Sequence, residues 1–342
     1  MIEQQNLLVH LVEKFYACGR VSLQPISPYM LEDRGIYRVD CEDGTSYVLR
    51  AFRADVKAEL TGHAAVLDYL LKRGYVAPQV MRTRDGAVLA CYEGWTALLI
   101  SFLAGEIANF TLPSLYLLAA CAGHLHMLTH DILVDTARGH LPDSRLRPTQ
   151  SASQAVEKLT QALSVVPDAL YPFCEDALQA LQRIQQAQQA SLLPETIIHG
   201  DCWPGNAVQT CSGNVSLIDW DGAGIGPAVL DIGYLLLTCH LGKPQLPSME
   251  PDEERIAVVV RGYCQQRKIT AAELNVLEDA VLYDVARRAG LEQRFSTLSD
   301  NSSEEIWWQK MLARYQVSSK IAKIARRYFE QDLLADSSLE SG

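Results

Sequence analysis

The chain has no apolar run long enough to cross a bilayer, no CxxC pair and no histidines at zinc-ligand spacing. The first absence removes a membrane as an expected partner. Its nine cysteines are scattered and odd in number, which fits a closed disulfide framework poorly and points to a reducing cytoplasm. A basic excess is missing too. Net charge is −11, with 30 Lys and Arg against 41 Asp and Glu, so a phosphate backbone would be repelled and nucleic acid is not expected as a partner. Residues 1–105 hold 11 basic and 12 acidic side chains, so nearly all of the negative charge lies beyond them. Internal repeats and low-complexity blocks are absent. Glu3 and Glu13 stand where a signal peptide would have an uncharged core, leaving an amphipathic helix as the reading of the first residues.

What is present suits two cores: 342 residues, 48% of them apolar. "GIYRVDCEDGTSYVLRAF" reads as a hairpin turning at Glu42-Asp43-Gly44, where glycine supplies a positive φ. In "DVKAELTGHAAVLDYLLKRGY", Ala58, Leu60, Ala64, Leu67, Leu70 and Leu71 have helical spacing, and Gly74 followed by Pro78 supplies the stop. Strands return around turns at Asp85-Gly86 and Glu93-Gly94. From about Leu112 the period becomes helical, interrupted by strand-like runs at 196–208 and 215–219. The expectation is an α+β chain: an N-terminal lobe over 1–103 made of a small antiparallel sheet with one helix, a mainly helical lobe over 104–334, and a disordered tail at 335–342.

Two segments carry the chemistry. "TIIHGD" and "VSLID" are apolar runs ending in aspartate, which predicts two neighbouring buried strands that each deliver a carboxylate to a sheet edge. Gly200, Pro204 and Gly205 make the first connection tight. Asp201, Asn206, Asp219 and Asp221 converging there would be costly to bury unpaired, so a cation is expected. Mg²⁺ fits, because it prefers oxygen ligands and uses one or two carboxylates beside water and substrate phosphates. Phosphoryl transfer needs this set: one Asp to take the acceptor's proton, and an Asn with a second Asp for the metal.

These segments resemble the catalytic loop "HGDxxxxN" and the metal-binding "IDWDxxxxGPxxxD" of the aminoglycoside phosphotransferase and choline kinase group, small-molecule kinases of protein-kinase-like, bilobal fold. Here they stand as His199-Gly200-Asp201 with Asn206, and Asp219, Asp221, Gly226-Pro227 and Asp231. The resemblance implies Asp201 as catalytic base, Asn206 and Asp219 as Mg²⁺ ligands, Asp221 as an additional acid, and His199 and Asp231 as supports of the loop. It also implies ATP as cofactor, bound in the first lobe. There the family's phosphate-pairing lysine is replaced by Arg50, whose permanently charged fork can serve phosphate oxygens. Its helix partner is Glu59, with His63 one turn later as the competing position. The adenine is expected against Ser101, Phe102 and Leu103, and in "MLEDRGIYRV" only Gly35 allows a close approach to phosphate.

The function read from this is ATP-dependent transfer of the γ-phosphate to a hydroxyl of a small molecule, an amine-bearing metabolite or an antibiotic, by a monomer or homodimer. The alternative is a non-catalytic nucleotide-binding regulatory module on the same fold. Asp284, Glu292, Glu304 and Glu305 are candidates to meet an amine, and Cys202, beside Asp201, is a candidate target for thiol reagents.

Overall fold

The computed structural model describes residues 2–26, 33–53, 55–137, 152–164, 168, 170–211, 213–240, 250–291 and 302–340. It separates into two compact units, Met1–Ala104 with Asp135–Leu146, and Gly105–Val134 with Arg147–Gly342.

The first unit is built from α1 (Ile2–Phe15), β1 (Val21–Pro25), β2 (Arg34–Cys41), β3 (Ser46–Phe52), α2 (Lys57–Lys72), β4 (Ala90–Tyr92) and β5 (Trp95–Ser101). Its five strands lie in the order β1-β2-β3-β5-β4, each antiparallel to its neighbours. Burial alternates along β2, as a strand with one face on a core requires. Leu8, Leu11 and Val12 of α1, with Tyr16 just after it, close that core against Val39, Leu49, Trp95, Ala97 and Leu99. The β2–β3 turn falls at the acidic tripeptide read from sequence, with Gly44 at φ 86° and Asp43 accepting from the Thr45 amide. β1 was not foreseen, because "VSLQP" carries one buried residue and no alternation strong enough to read. Asp135 joins this unit by accepting from the Tyr69 hydroxyl at 2.9 Å and pairing with Arg73.

The second unit holds β6 (Glu106–Ile107), α3 (Leu112–Leu128), α4 (Ile132–Ala137, which reaches into the first unit's segment), α5 (Ala152–Ala162), α6 (Tyr171–Gln189), β7 (Glu195–Ile198), β8 (Ala207–Gln209), β9 (Val215–Leu217), β10 (Gly224–Pro227), α7 (Ala228–Thr238), α8 (Glu253–Cys264), α9 (Ala271–Asn275), α10 (Leu277–Leu291) and α11 (Ser302–Glu340). α11 thus continues through residues 335–340, which the sequence reading gave to a disordered tail; no proline or glycine interrupts that stretch. Every residue of α7 is buried, so it forms the axis on which the other helices pack. α3 and α8 cross at a pair of glycines: a Cβ on Gly262 would stand 2.3 Å from the Tyr116 carbonyl oxygen, and one on Gly123 would stand 2.7 Å from that of Tyr263. This close crossing brings His126 of α3 to Tyr263 of α8.

The two apolar runs ending in aspartate are not hydrogen-bonded partners, contrary to the expectation. β7 pairs with β10, while β9 pairs with β8, which also pairs with β6. "GIGP" gave no strand signal because half its residues are glycine, yet it supplies the partner that β7 requires.

Of the nine cysteines, Cys91 and Cys211 are exposed, Cys18 and Cys121 half-buried, and the other five buried.

Candidate active site

The loop between β7 and β8 is held from several sides. Gly200 turns it at φ 77°, where a Cβ would lie 2.2 Å from the Gly222 carbonyl oxygen, so only glycine fits both the dihedral and the space. Pro204–Asn206 then closes a 3-10 turn, with the Asn206 amide bonded to the Trp203 carbonyl at 2.9 Å. From that turn Asn206 Nδ2 reaches back to Asp201, donating to Oδ2 at 2.6 Å and to the backbone oxygen at 3.1 Å. Both amide hydrogens are used, which makes the Asn206 oxygen the end directed elsewhere.

The second segment is bound to the first. The Ile218 amide donates to the Asn206 carbonyl at 2.9 Å, and His199 Nε2 donates to the Ile218 carbonyl at 2.9 Å. Asp219 follows in the left-handed region, φ 61° and ψ 65°, a conformation aspartate tolerates better than most residues. Next comes a 3-10 turn, Trp220–Gly222, in which Trp220 is buried, donates to the Leu217 carbonyl at 3.0 Å and meets the His199 ring edge-on at 4.7 Å between centroids. Asp219 and Asp221 therefore flank a fixed indole and are themselves exposed. A buried tryptophan contributes about 3 kcal/mol or more, so this ring fixes the turn that carries the two acids.

Asp231, near the start of α7, supports the loop from beneath. It is 1% exposed, and it accepts the His199 amide at 2.6 Å on Oδ2 and the Gly200 amide at 2.8 Å on Oδ1. His126 Nε2 lies 3.1 Å from Oδ2. Burial alone would raise its pKa; the hydrogen bonds it accepts from His126 and from the His199 amide outweigh that and leave the carboxyl below its ordinary range. The pairing of His126 with Asp231 links positions 105 apart in the chain, which no local pattern displays. Thr129, which caps the C-terminus of α3, accepts the Ile197 amide at 3.0 Å and ties β7 to that helix.

Cys202 is fully buried and its thiol is pushed well up by that burial, so it is not the reagent-sensitive group expected from its place beside Asp201. Asp284 is engaged by Arg287 at 2.7 Å. Glu292 lies outside the described residues, as do the side chains of Glu304 and Glu305.

In the first unit Arg50 is buried in the middle of β3, opposite Leu98 of β5 and Ile36 of β2. Glu59 is exposed in the first turn of α2, and His63 is half-buried one turn on. The amides of Ser101 and Phe102 are committed to the sheet, donating to Gln79 at 2.8 Å and Ser46 at 3.2 Å, and the Arg38 guanidinium covers the Phe102 ring at 4.6 Å. Leu103 follows the strand and is half-buried. Gly35 is the second residue of β2, opposite Ala51 of β3; residues 27–32 lie outside the described residues.

Among the described residues no three His, Cys, Asp or Glu side chains cluster as a metal site. The donors suggested by the sequence are of another kind: a carboxamide oxygen whose nitrogen is anchored on Asp201, and the exposed carboxylate of Asp219, one residue beyond Ile218, whose amide is bonded to the Asn206 carbonyl. A hard-oxygen set of this size fits Mg²⁺, which takes few protein ligands.

The model of the phosphotransferase enzyme family matches residues 31–272. The chain belongs to that family. Both segments described above fall within the matched span. A homoserine kinase of Brucella melitensis biotype 2 is 26% identical over 235 residues, 68% of this chain and 66% of that protein, so the match spans just under two thirds of the relative. A homoserine kinase of Methylocella silvestris is 25% identical over 256 residues, 74% of each. Among solved structures, the amicoumacin kinase hAmiN in complex with AMP-PNP, Ca²⁺ and Ami aligns with a TM-score of 0.67 at 17% identity, over 93% of this chain and 95% of that one. A microcompartment-associated aminopropanol kinase aligns at 0.56 and 18% identity, over 97% and 98%. This family member therefore has their protein-kinase-like α+β fold.

Proposed function

We propose that this phosphotransferase moves the γ-phosphate of ATP to a hydroxyl of a small molecule that also carries an amine. The observation that carries the reading is the Asn206 clamp on Asp201, because it orients one carboxylate at the end of a loop whose backbone is itself fixed by Asp231. Asp201 accepts the acceptor hydroxyl's proton at Oδ1, the oxygen that Asn206 does not engage, as the new O–P bond forms and the bond to the ADP oxygen breaks. Asn206 and Asp219 hold Mg²⁺, which neutralises phosphate charge when bound. Asp221 is the further acid beside the acceptor. In the first unit Arg50 serves the phosphates with Glu59 as its partner, and the adenine lies along Ser101, Phe102 and Leu103. The Leu103 amide is the donor we assign to it, since those of Ser101 and Phe102 are used within the sheet.

The amine is supported by the relatives. Homoserine and aminopropanol, named for two of the proteins it resembles, each carry one amine and one hydroxyl. The negative charge concentrated after residue 105 favours such a cation.

The test is ADP release by the purified chain with ATP and Mg²⁺ against a panel containing homoserine, aminopropanol, ethanolamine, choline and spectinomycin. Turnover with an amino alcohol is expected, lost in Asp201→Asn while nucleotide binding survives. A nucleotide-dependent thermal shift without turnover on any acceptor would overturn the reading.

A further inference from the structure

The support beneath the catalytic loop does not end at Asp231. It continues as one hydrogen-bonded chain through the second unit to the N-terminus of α9. There Thr270 and Glu273 form a reciprocal cap, the hydroxyl accepting the Glu273 amide at 3.2 Å and the carboxylate accepting the Thr270 amide at 2.8 Å. The same carboxylate accepts Arg267 Nη2 at 2.9 and 3.0 Å. Arg267 Nη1 donates to the Tyr263 hydroxyl at 2.9 Å, that hydroxyl lies 2.9 Å from His126 Nδ1, and His126 Nε2 reaches Asp231. Glu273, Tyr263 and His126 are fully buried.

Donor and acceptor inventory fixes where the protons are. Asp231 already accepts two backbone amides and can only accept, so His126 Nε2 carries hydrogen. Arginine can only donate, so Arg267 takes a lone pair of the Tyr263 oxygen. The phenolic hydrogen then goes to the remaining neighbour, His126 Nδ1, which must be an acceptor. Every group is satisfied in a single direction, Arg267 to Tyr263 to His126 to Asp231, ending on the anion that holds the His199 and Gly200 amides. Burial raises the Tyr263 phenol and keeps its hydrogen in place. Packing does not explain this arrangement. A phenylalanine at 263 would meet Phe329 edge-on just as the tyrosine does, at 6.5 Å between centroids, and the hydroxyl is needed only for the chain.

We propose that Tyr263 and Arg267 are positioning residues for phosphoryl transfer: they fix the Nε2–H tautomer of His126, which fixes the orientation of Asp231 and through it the backbone before Asp201. This rests on Asp201 being the base. The capped α9 turn anchors the far end, because Glu273 would be left buried and charged if Arg267 moved away.

The test uses Tyr263→Phe in the full chain. Losing one buried hydrogen bond in a charge-terminated chain should lower kcat about tenfold while the KM values for ATP and acceptor stay within about twofold. Amide exchange at His199 and Gly200 should accelerate by about the same factor. The ¹⁵N resonance of His126 Nδ1 should shift toward that of an unbonded pyridine-type nitrogen. Should Tyr263→Phe fail to fold, Arg267→Lys reads the same quantities, since lysine lacks the planar fork by which Arg267 bonds Tyr263 from one nitrogen and Glu273 from the other, and the same changes are expected. Asp201→Asn separates the two ideas, because it should abolish turnover and leave exchange at His199 and Gly200 slow. A folded variant with unchanged kcat and unchanged exchange overturns the proposal, as does a wild-type spectrum showing hydrogen on His126 Nδ1. A wild-type chain without turnover overturns the reading of Asp201 and the catalytic half of this proposal, while exchange still decides whether the chain of bonds holds the loop.

Discussion

Asn206 donates to both the carboxylate and the carbonyl of Asp201, at 2.6 and 3.1 Å, so one carboxamide holds the side chain and the backbone of the same residue. On the proposed roles, removing it should loosen Asp201 and take away a metal ligand at once. Asn206→Ala is expected to lower kcat by about 10- to 100-fold, the range for a hydrogen bond to a charged group, and to raise the Mg²⁺ concentration needed for half-maximal rate. Steady-state kinetics over a Mg²⁺ titration checks this; an unchanged Mg²⁺ requirement would remove Asn206 from the ligand set.

Gly200 has a positive φ and almost no room beside Gly222. For Gly200→Ala the left-handed conformation costs about 1–2 kcal/mol, and the contact with a backbone carbonyl adds to it. A loss near 3 kcal/mol in urea unfolding is expected, with activity falling further than stability because the strain lies one residue from Asp201.

Asp231 has a folded pKa below its unfolded value, so its stabilising contribution is fully present above about pH 4 and is lost as pH falls through the lower folded pKa. In Asp231→Asn that acid-side loss should shrink, at the cost of about 3 kcal/mol at neutral pH for breaking a buried charged network. Urea midpoints between pH 2 and pH 7 measure both.

His240 is held at about 4, well below its ordinary value, by burial first and then by Arg255, with Asp252 opposing. The unfolded chain binds this proton before the folded one does, so stability should fall as pH drops from about 6.5 toward 4, by about 3 kcal/mol in total. His240→Gln should flatten that interval and leave the Asp231 region below it unchanged. A mutant with the same slope between pH 6.5 and 4 would refute the assignment.

That Asp201 and Asn206 meet across one tight loop was legible because the spacing is local: His199, Asp201 and Asn206 fall within eight residues, and the connection between them is signalled by Gly200, Pro204 and Gly205. The hairpin at Gly44 and the helix at 57–72 were legible for the same reason, since turn chemistry and helical spacing act over a few residues. β10 was hidden because strand propensity is a packing property and two of its four residues are glycines. Tyr263 and Arg267 sit at i and i+4 on a helix end and its extension, an unremarkable pair until α3 brings His126 against them across a glycine crossing. Partnerships of this kind depend on the tertiary arrangement, which one sequence does not display.

The distribution of thiols offers an experimental handle. Cys91 belongs to the first unit and Cys211 to the second, and both face solvent, whereas Cys202 beside Asp201 is sealed off. Two maleimide dyes would thus attach preferentially one to each unit without engineered cysteines, and energy transfer between them would report how the separation of the units responds as nucleotide is titrated.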